Sequence, residues 1–423
     1  MARRKRGGAT RSAGVAVLAA TLLILACLLA SRGLAKASSL VGFAEVTHEV
    51  AFGRHVDFRV VARVPSELES LWLIYGLEGE RAANRAEAEF SGDGRIEGFW
   101  RWELEPGELP PGVTVWYRWL VVGEGGQEWT SREYSLTYTD ERFDWESVTE
   151  GPLTVFYYGR RGRERGLLVL DAAKAALDRF QQDFGLQVTE PMRLYVYASA
   201  RDMALAVPSR SETFDARTTT LGMAMGHGAL VLLGDDENLE GTTAHELSHL
   251  VVHSVTDNPF SDIPTWLDEG LAMYAEGQLP ANNRRALAEA VRRGSLISLR
   301  SMTSYPGDPA LVNLFYGEAH SVVEFMVREY GAEAMSQLLS LIGQGVDIDE
   351  ALARAYGFGV DELEDKWRAS LGVAEYAERQ AESTSAHEVG VLDNEKDRTA
   401  SVPCAGVAVV PVAVALFLRR RRA

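Results

Sequence analysis

Two histidines and a glutamate stand close together in the run His245–His249, which reads HELSH within GTTAHELSHLVV. Residues four apart on a helix lie on one side, about one turn from each other, so His245 and His249 can hold a single metal ion. Glu246 points elsewhere and is placed to hold a water on that metal. Zinc polarises a carbonyl and lowers the pKa of a bound water to about 7, and a glutamate can take the water's proton. The pattern therefore indicates hydrolytic chemistry.

A third ligand has to come from elsewhere in the chain, because a catalytic zinc usually takes three protein ligands and keeps one position open. His253 lies on the same predicted helix as His245. Eight residues of helix rise about 12 Å, too far for both rings to reach one ion, so we interpret His253 as a surface or packing residue. Glu269, in IPTWLDEGLAMYAEG, is the better candidate.

H-E-x-x-H followed about twenty residues later by W-L-x-E-G resembles the gluzincin metallopeptidases, which include the thermolysin-like enzymes and the zinc aminopeptidases. More narrowly, the stretch from Leu153 to Leu371 resembles a bacterial peptidase MA-like family. The resemblance implies one Zn²⁺ held by His245, His249 and Glu269, with Glu246 as the general base. It also implies a peptide or protein substrate.

Other residues around this motif have open roles. Glu276 is seven residues after Glu269, on the same helix face, and either orients a histidine or is a solvated charge. Tyr316 and His320, in LFYGEAHSVVEF, are candidates for stabilising an oxyanion, and core packing is the alternative for both.

Substrate binding has two sequence signals. The segment GMAMGHG lacks the acid of the G-x-M-E-N-type motif with which zinc aminopeptidases bind a free amino terminus, which favours an endopeptidase. The predicted strand Gly228 to Gly234 could pair with an extended substrate backbone.

The elements around the motif predict an α+β fold. Apolar residues at every second position, in short segments separated by turns with Gly and Pro, predict an immunoglobulin-like β-sandwich over residues 41–140. Residues 150–373 alternate strands and helices and then become mostly helical, which the resemblance identifies as a thermolysin-like metallopeptidase domain with a helical C-terminal subdomain. A helix is expected to end at Gly185, and Thr242 or Thr243 to cap the helix of the histidines.

Both ends of the chain are apolar and basic. Residues 1–37 have a basic start, an apolar run and an A-x-A pattern, which indicate a signal peptide or a signal anchor. Residues 374–400 are polar and predict a disordered tether. Residues 402–423 join an apolar segment to four arginines, and resemble a bacterial surface sorting signal or a plain tail anchor. We therefore expect an extracytoplasmic protein, at the membrane or cell surface.

The charge and the positions of the cysteines argue against two classes of protein, those that bind nucleic acid or anionic lipid and those held by internal disulfides. The net charge is −17 although both ends are basic, so the central part is more acidic still and is not suited to nucleic acid or anionic lipid. Cys27 and Cys404, the two cysteines of the chain, lie in the apolar ends, so the central part has no disulfide.

Two other functions fit the same residues. One is a catalytically silent zinc-binding surface protein, although such a site would not need Glu246. The other is an adhesion module in which the β-sandwich binds a ligand and the peptidase fold is a scaffold. Zinc-dependent hydrolysis of a substrate other than a peptide also stays open.

Overall fold

The computed structural model describes residues 41–64, 67–208, 222–225 and 227–372. The signal, tether and anchor predicted for residues 1–37, 374–400 and 402–423 lie outside the described residues. Within the described ranges, no helix is both long and apolar enough to cross a membrane.

The strands come mainly from the first half of the chain. They are β1 Gly42–Ala51, β2 His55–Arg63, β3 Leu68–Leu77, β4 Asn84–Ser91, β5 Arg95–Glu103, β6 Val113–Gly123, β7 Glu128–Thr130, β8 Tyr134–Tyr138, β9 Glu146–Glu150, β10 Leu153–Tyr157, β11 Met192–Tyr197, β12 Gly222–Met225 and β13 Ala229–Leu233.

The helices follow from the middle of the chain onward. They are α1 Gly162–Phe184, α2 Ala200–Met203, α3 Leu239–Thr256, α4 Thr265–Glu276, α5 Ala281–Arg293, α6 Val312–Tyr330, α7 Ala332–Gly343, α8 Ile348–Tyr356 and α9 Val360–Ser370, with 3₁₀ turns at Leu299–Ser301 and Pro309–Leu311. The predicted α+β composition, with a helical C-terminal part, is confirmed.

Strands β1 to β8 form one hydrogen-bonded sheet, in the order β1-β2-β5-β4-β3-β6-β7 with β8 paired to β6. Successive residues of a strand point to opposite faces of the sheet. The alternating apolar residues that predicted the strands should therefore be buried on one face. The predicted inner-face residues are all buried: Val56, Phe58, Val60, Ala62, Val64, Val113, Val115, Tyr117, Trp119 and Val121. Hydrogen bonds connect all eight strands in one sheet, and the immunoglobulin-like sandwich is not confirmed.

By the density of its contacts the chain divides into two compact units. Of the described residues, the first unit comprises those within 41–49, 57–101 and 116–135. The second comprises the described residues within 50–56, 102–115 and 136–372, and it contains the HELSH run.

The second unit contains a five-stranded sheet in the order β12-β13-β11-β10-β9. Strands β10, β11 and β13 run parallel, while β9 and β12 are antiparallel to their neighbours. The prediction that strand 228–234 pairs with a substrate is wrong, because β13 is paired on one side with β11 and on the other with β12. Among the described strands of this sheet, β12 is the edge strand beside β13.

Helices cover this sheet and fix the position of the HELSH run. Helix α1 packs on β10 and on α3, and α3 in turn packs on β12, β13 and α4. Helix α1 ends as predicted, at Gly185, whose φ of 67° is left-handed and suits a residue without a Cβ. The predicted cap at Thr242 or Thr243 is wrong, since α3 already begins at Leu239.

Glu318 is a buried carboxyl in the helical part of this unit. It lies on α6 with no exposed surface, and its Oε1 accepts a hydrogen bond of 2.9 Å from the Ile297 amide, while Oε2 has no partner. Burial raises the pKa of Glu318 to about 8, against the lowering effects of that amide and of Arg368. At neutral pH the folded protein therefore holds this carboxyl mostly protonated.

We expect the free energy of unfolding of the Glu318→Gln variant to depend less on pH than that of the wild type. The folded state binds a proton at Glu318 that the unfolded state releases above its usual pKa of 4.5, so stability falls as pH rises from about 4.5 to 8. One pKa unit corresponds to about 1.4 kcal/mol, so the loss by pH 7 is on the order of 3 kcal/mol.

Urea unfolding of both proteins at pH 5 and pH 7.5 measures this effect. The difference in unfolding free energy, variant minus wild type, should be larger at pH 7.5 than at pH 5. An equal difference at the two pH values would show that Glu318 titrates normally.

Candidate metal centre

Helix α3 buries several polar side chains, and three of them belong to the predicted metal site. His245, Glu246 and His249 are between 0% and 1% exposed. Leu247 and Val251, on the same helix, are fully buried among apolar residues and hold the helix in place. Burial of polar groups costs free energy unless they find partners, so these three side chains need partners inside the fold.

Helix α4 brings Glu269 to the same place. Gly270 allows this approach, because a Cβ there would lie 2.5 Å from both the Ala319 carbonyl oxygen and the Val323 side chain on α6. The glycine of W-L-D-E-G thus lets α4 lie directly against α6, and Glu269 is left with no exposed surface.

Three donor atoms converge where α3 meets α4. Glu269 Oε2 lies 3.4 Å from His245 Nε2 and 4.0 Å from His249 Nε2. All three atoms are buried and have no hydrogen-bond partner. The structure therefore brings together the three residues that the sequence predicted as ligands, and their free donor atoms face one point.

This donor set fits a zinc ion. Two imidazole nitrogens and one carboxylate oxygen are a common ligand set of catalytic zinc. Although burial lowers the pKa of His245, its contacts with Glu269 and Glu276 outweigh burial and raise that pKa well above the usual value. Burial also lowers the pKa of His249, and Asp268 and Glu269 raise it to about 9. The carboxylates thus favour positive charge at this point, as a proton or as a metal cation.

The other ring nitrogens of the histidines face carboxylates. His245 Nδ1 hydrogen-bonds Glu276 Oε1 at 2.7 Å, which places Glu276 in the orienting position considered from the sequence. His249 Nδ1 lies 3.0 Å from Asp268 Oδ1, an ion-pair contact without the alignment of a hydrogen bond. Asp268 Oδ2 also contacts His253 Nε2 at 3.2 Å, so His253 lies behind Asp268 and is not one of the converging donors.

The carboxylate of Glu246 contacts the edge strand β12. Its Oε2 accepts a hydrogen bond of 3.1 Å from the Ala224 amide of β12, while Oε1 is buried and has no partner. Gly222 makes this closeness possible, because a Cβ there would lie 2.8 Å from the Glu246 side chain. Burial raises the pKa of Glu246, which suits a group that accepts a proton.

The two residues considered for an oxyanion lie on α6. Tyr316 is buried, with its ring centre 6.5 Å from that of His245. His320 is 8% exposed, and burial lowers its pKa, while Glu324 at 4.0 Å acts in the opposite sense.

Sequence reasoning missed two residues at this centre. Asp268 directly precedes Glu269, and its position beside a predicted ligand was a usable signal. Tyr305 donates a hydrogen bond from its hydroxyl to Glu269 Oε1. It lies in a loop far along the chain from HELSH, and only the fold brings it close.

We expect Asp268→Ala to weaken zinc binding. Carboxylates that contact the far nitrogen of a metal-binding histidine typically contribute 10-fold to 100-fold in metal affinity, because they fix the ring and make it more basic. Competition with a fluorescent zinc chelator should show a loss in that range.

Asp262→Ala is the matched control, since Asp262 is an exposed aspartate in the segment that precedes α4. Its zinc affinity should equal that of the wild type. If Asp268→Ala also matched the wild type, the contact with His249 would have no part in metal binding.

Residues 172–373 match the family model described as the Peptidase MA superfamily. A search of curated protein sequences finds no match. The resemblance seen in H-E-x-x-H and W-L-x-E-G is thereby supported at the level of that superfamily.

Similar solved structures include an M1 zinc metallopeptidase from Deinococcus radiodurans, bound to a Tyr-Ser-Ala substrate. It is 13% identical, with a TM-score of 0.36, and the match covers 78% of this chain and 94% of the other. Leukotriene A4 hydrolase from Saccharomyces cerevisiae is 11% identical, with a TM-score of 0.33, over 75% of this chain and 65% of the other.

A third similar structure is the carbohydrate binding module of the muscle glycogen-targeting subunit of protein phosphatase-1. It is 12% identical, with a TM-score of 0.20, and the match covers 23% of this chain and 76% of that module. The family match, over residues 172–373, includes His245, His249 and Glu269, and this part of the chain is similar to the Peptidase MA superfamily.

Proposed function

We propose that this chain is a zinc-dependent peptidase of the gluzincin type, with a thermolysin-like arrangement of its second unit. One observation carries the proposal: three buried donor atoms without hydrogen-bond partners, on His245, His249 and Glu269, converge beside a fourth buried side chain, that of Glu246. The match of residues 172–373 to the Peptidase MA superfamily supports it.

Each residue has a defined task in this proposal. His245, His249 and Glu269 would hold zinc, which when bound polarises a substrate carbonyl and lowers the pKa of water. Glu246 Oε1 takes a proton from the attacking water and passes it to the nitrogen of the leaving amine. The hydrogen bond from the Ala224 amide to Oε2 fixes the Glu246 carboxylate, so that Oε1 alone is free for this transfer.

The substrate would lie along β12 in an extended conformation. An extended peptide can add to the open edge of a sheet through main-chain hydrogen bonds. Among the described strands of its sheet, β12 is the edge next to Glu246, through the contact of that residue with Ala224. The residues of this strand, Gly222–Met225, include no acid to bind a free amino terminus, which favours cleavage inside a peptide over removal of its first residue.

A catalytically silent zinc protein is less well supported. Glu246 is fully buried, and one of its oxygens has no partner. A buried, unsatisfied carboxylate costs stability, and a site that only held zinc would not need it.

We expect Glu246→Gln to keep zinc and lose turnover. The amide has the size of the carboxylate but cannot accept the proton, and general-base catalysis contributes about 10²-fold to 10⁴-fold in rate. Zinc content by mass spectrometry and cleavage of a peptide library blocked at both ends should be measured on the same sample.

Glu240→Gln is the control, because Glu240 is an exposed glutamate in the first turn of the same helix. It should cleave like the wild type. Full turnover by Glu246→Gln with bound zinc would contradict the assigned base. Cleavage of peptides only when their amino terminus is free would contradict endopeptidase action.

The location proposed for the enzyme is extracytoplasmic, at the membrane or cell surface. It is supported by the basic, apolar and A-x-A pattern of residues 1–37 and by the apolar, arginine-ended residues 402–423. An epitope inserted after Glu375 should be cleaved by external protease once the outer layers of the cell are opened. An epitope that stays intact under these conditions would contradict this topology.

A further inference from the structure

Tyr305 links a surface loop to the metal centre. It lies between the 3₁₀ turns Leu299–Ser301 and Pro309–Leu311, and 41% of the surface of this residue is exposed. Its hydroxyl nevertheless donates a hydrogen bond to Oε1 of Glu269, a residue with no exposed surface. The ring is thus open to solvent while the hydroxyl reaches into the interior.

The loop is attached to the helix that carries Glu269. The Trp266 amide donates to the Met302 carbonyl at 3.0 Å, and the Thr265 hydroxyl donates to the Thr303 carbonyl at 2.7 Å. Thr265 and Trp266 form the first turn of α4, and Glu269 follows one turn later. These two bonds hold the start of the loop beside α4, so Tyr305 is within reach of Glu269 before any ligand binds.

The two oxygens of Glu269 therefore have different surroundings. Oε1 is engaged by the Tyr305 hydroxyl, whereas Oε2 is free and faces His245 and His249. A carboxylate can bind a metal through one oxygen or through both, and an ion bound by both oxygens gains an extra ligand. The number of ligands matters here, because a catalytic zinc needs an open position.

We propose that Tyr305 is a positioning residue that holds Glu269 Oε1, so that only Oε2 binds the metal and one coordination position stays open. This inference rests on the proposed zinc function but concerns metal binding itself. The ring of Phe315 on α6, with its centre 5.9 Å away, supports the Tyr305 ring in this orientation.

Tyr305→Phe tests the proposal, because it removes only the hydroxyl from a partly exposed ring and should leave the apo protein folded. Zinc affinity, measured by chelator competition, shows whether the variant still binds metal. The Tm of the apo protein is measured alongside. Tyr330→Phe is the control, since Tyr330 is 37% exposed and the cobalt spectrum of this variant should match that of the wild type.

Cobalt substitution distinguishes positioning from general stabilisation. Four-coordinate Co²⁺ absorbs visible light more strongly than five-coordinate Co²⁺. The Tyr305→Phe protein should therefore show weaker cobalt bands than the wild type, as Oε1 joins the metal. The same variant should lose kcat with little change in KM, because the open position is filled.

One result would overturn the inference while the zinc function stands: cobalt bands as strong as those of the wild type in a Tyr305→Phe variant that binds metal. Failure of the wild-type protein to bind zinc at all would instead overturn the proposed function. The two failures are therefore separate.

Discussion

Burial of two imidazoles and a carboxylate without mutual hydrogen bonds is the constraint on which the metal centre depends. His245, His249 and Glu269 are removed from water, and their converging atoms have no hydrogen-bond partners. Desolvation of such groups is costly unless a cation or proton compensates it. The carboxylates Asp268 and Glu276, placed behind the histidines, increase the demand for positive charge. A bound cation would satisfy all of these groups together.

Close backbone approach at two glycines makes this arrangement possible. Gly270 lets α4 lie against α6, which brings Glu269 to the histidines, and Gly222 lets β12 lie against Glu246. In both places a Cβ would overlap neighbouring atoms. Packing, rather than the propensity of any one helix, thus sets the distances between the functional groups. The apolar residues that surround α3, such as Leu247 and Val251, keep those distances fixed.

The order of the sheet decides where a substrate could lie. Sequence alone identified an apolar strand before the HELSH helix and suggested it as a docking edge. In the fold that strand, β13, is enclosed between β11 and β12, because its strongly apolar residues suit a buried parallel position. The shorter β12 takes the edge, and its Ala224 amide contacts the proposed base. The strand next to the proposed base is therefore β12, whereas the strand that the sequence predicted for substrate binding is β13.

The sequence by itself determined the groups whose spacing follows from local geometry. His245 and His249 share a helix face because the α-helix repeats every 3.6 residues, and the alternation of β2 and β6 marks their buried faces because strands repeat every two. The W-L-x-E-G pattern pointed to Glu269 through resemblance. Only tertiary structure placed Tyr305 on Glu269, turned Asp268 toward His249 and put β12 at the sheet edge. These contacts join segments that lie apart in the sequence. Their geometry depends on how helices and strands pack, and a local sequence pattern does not contain that information.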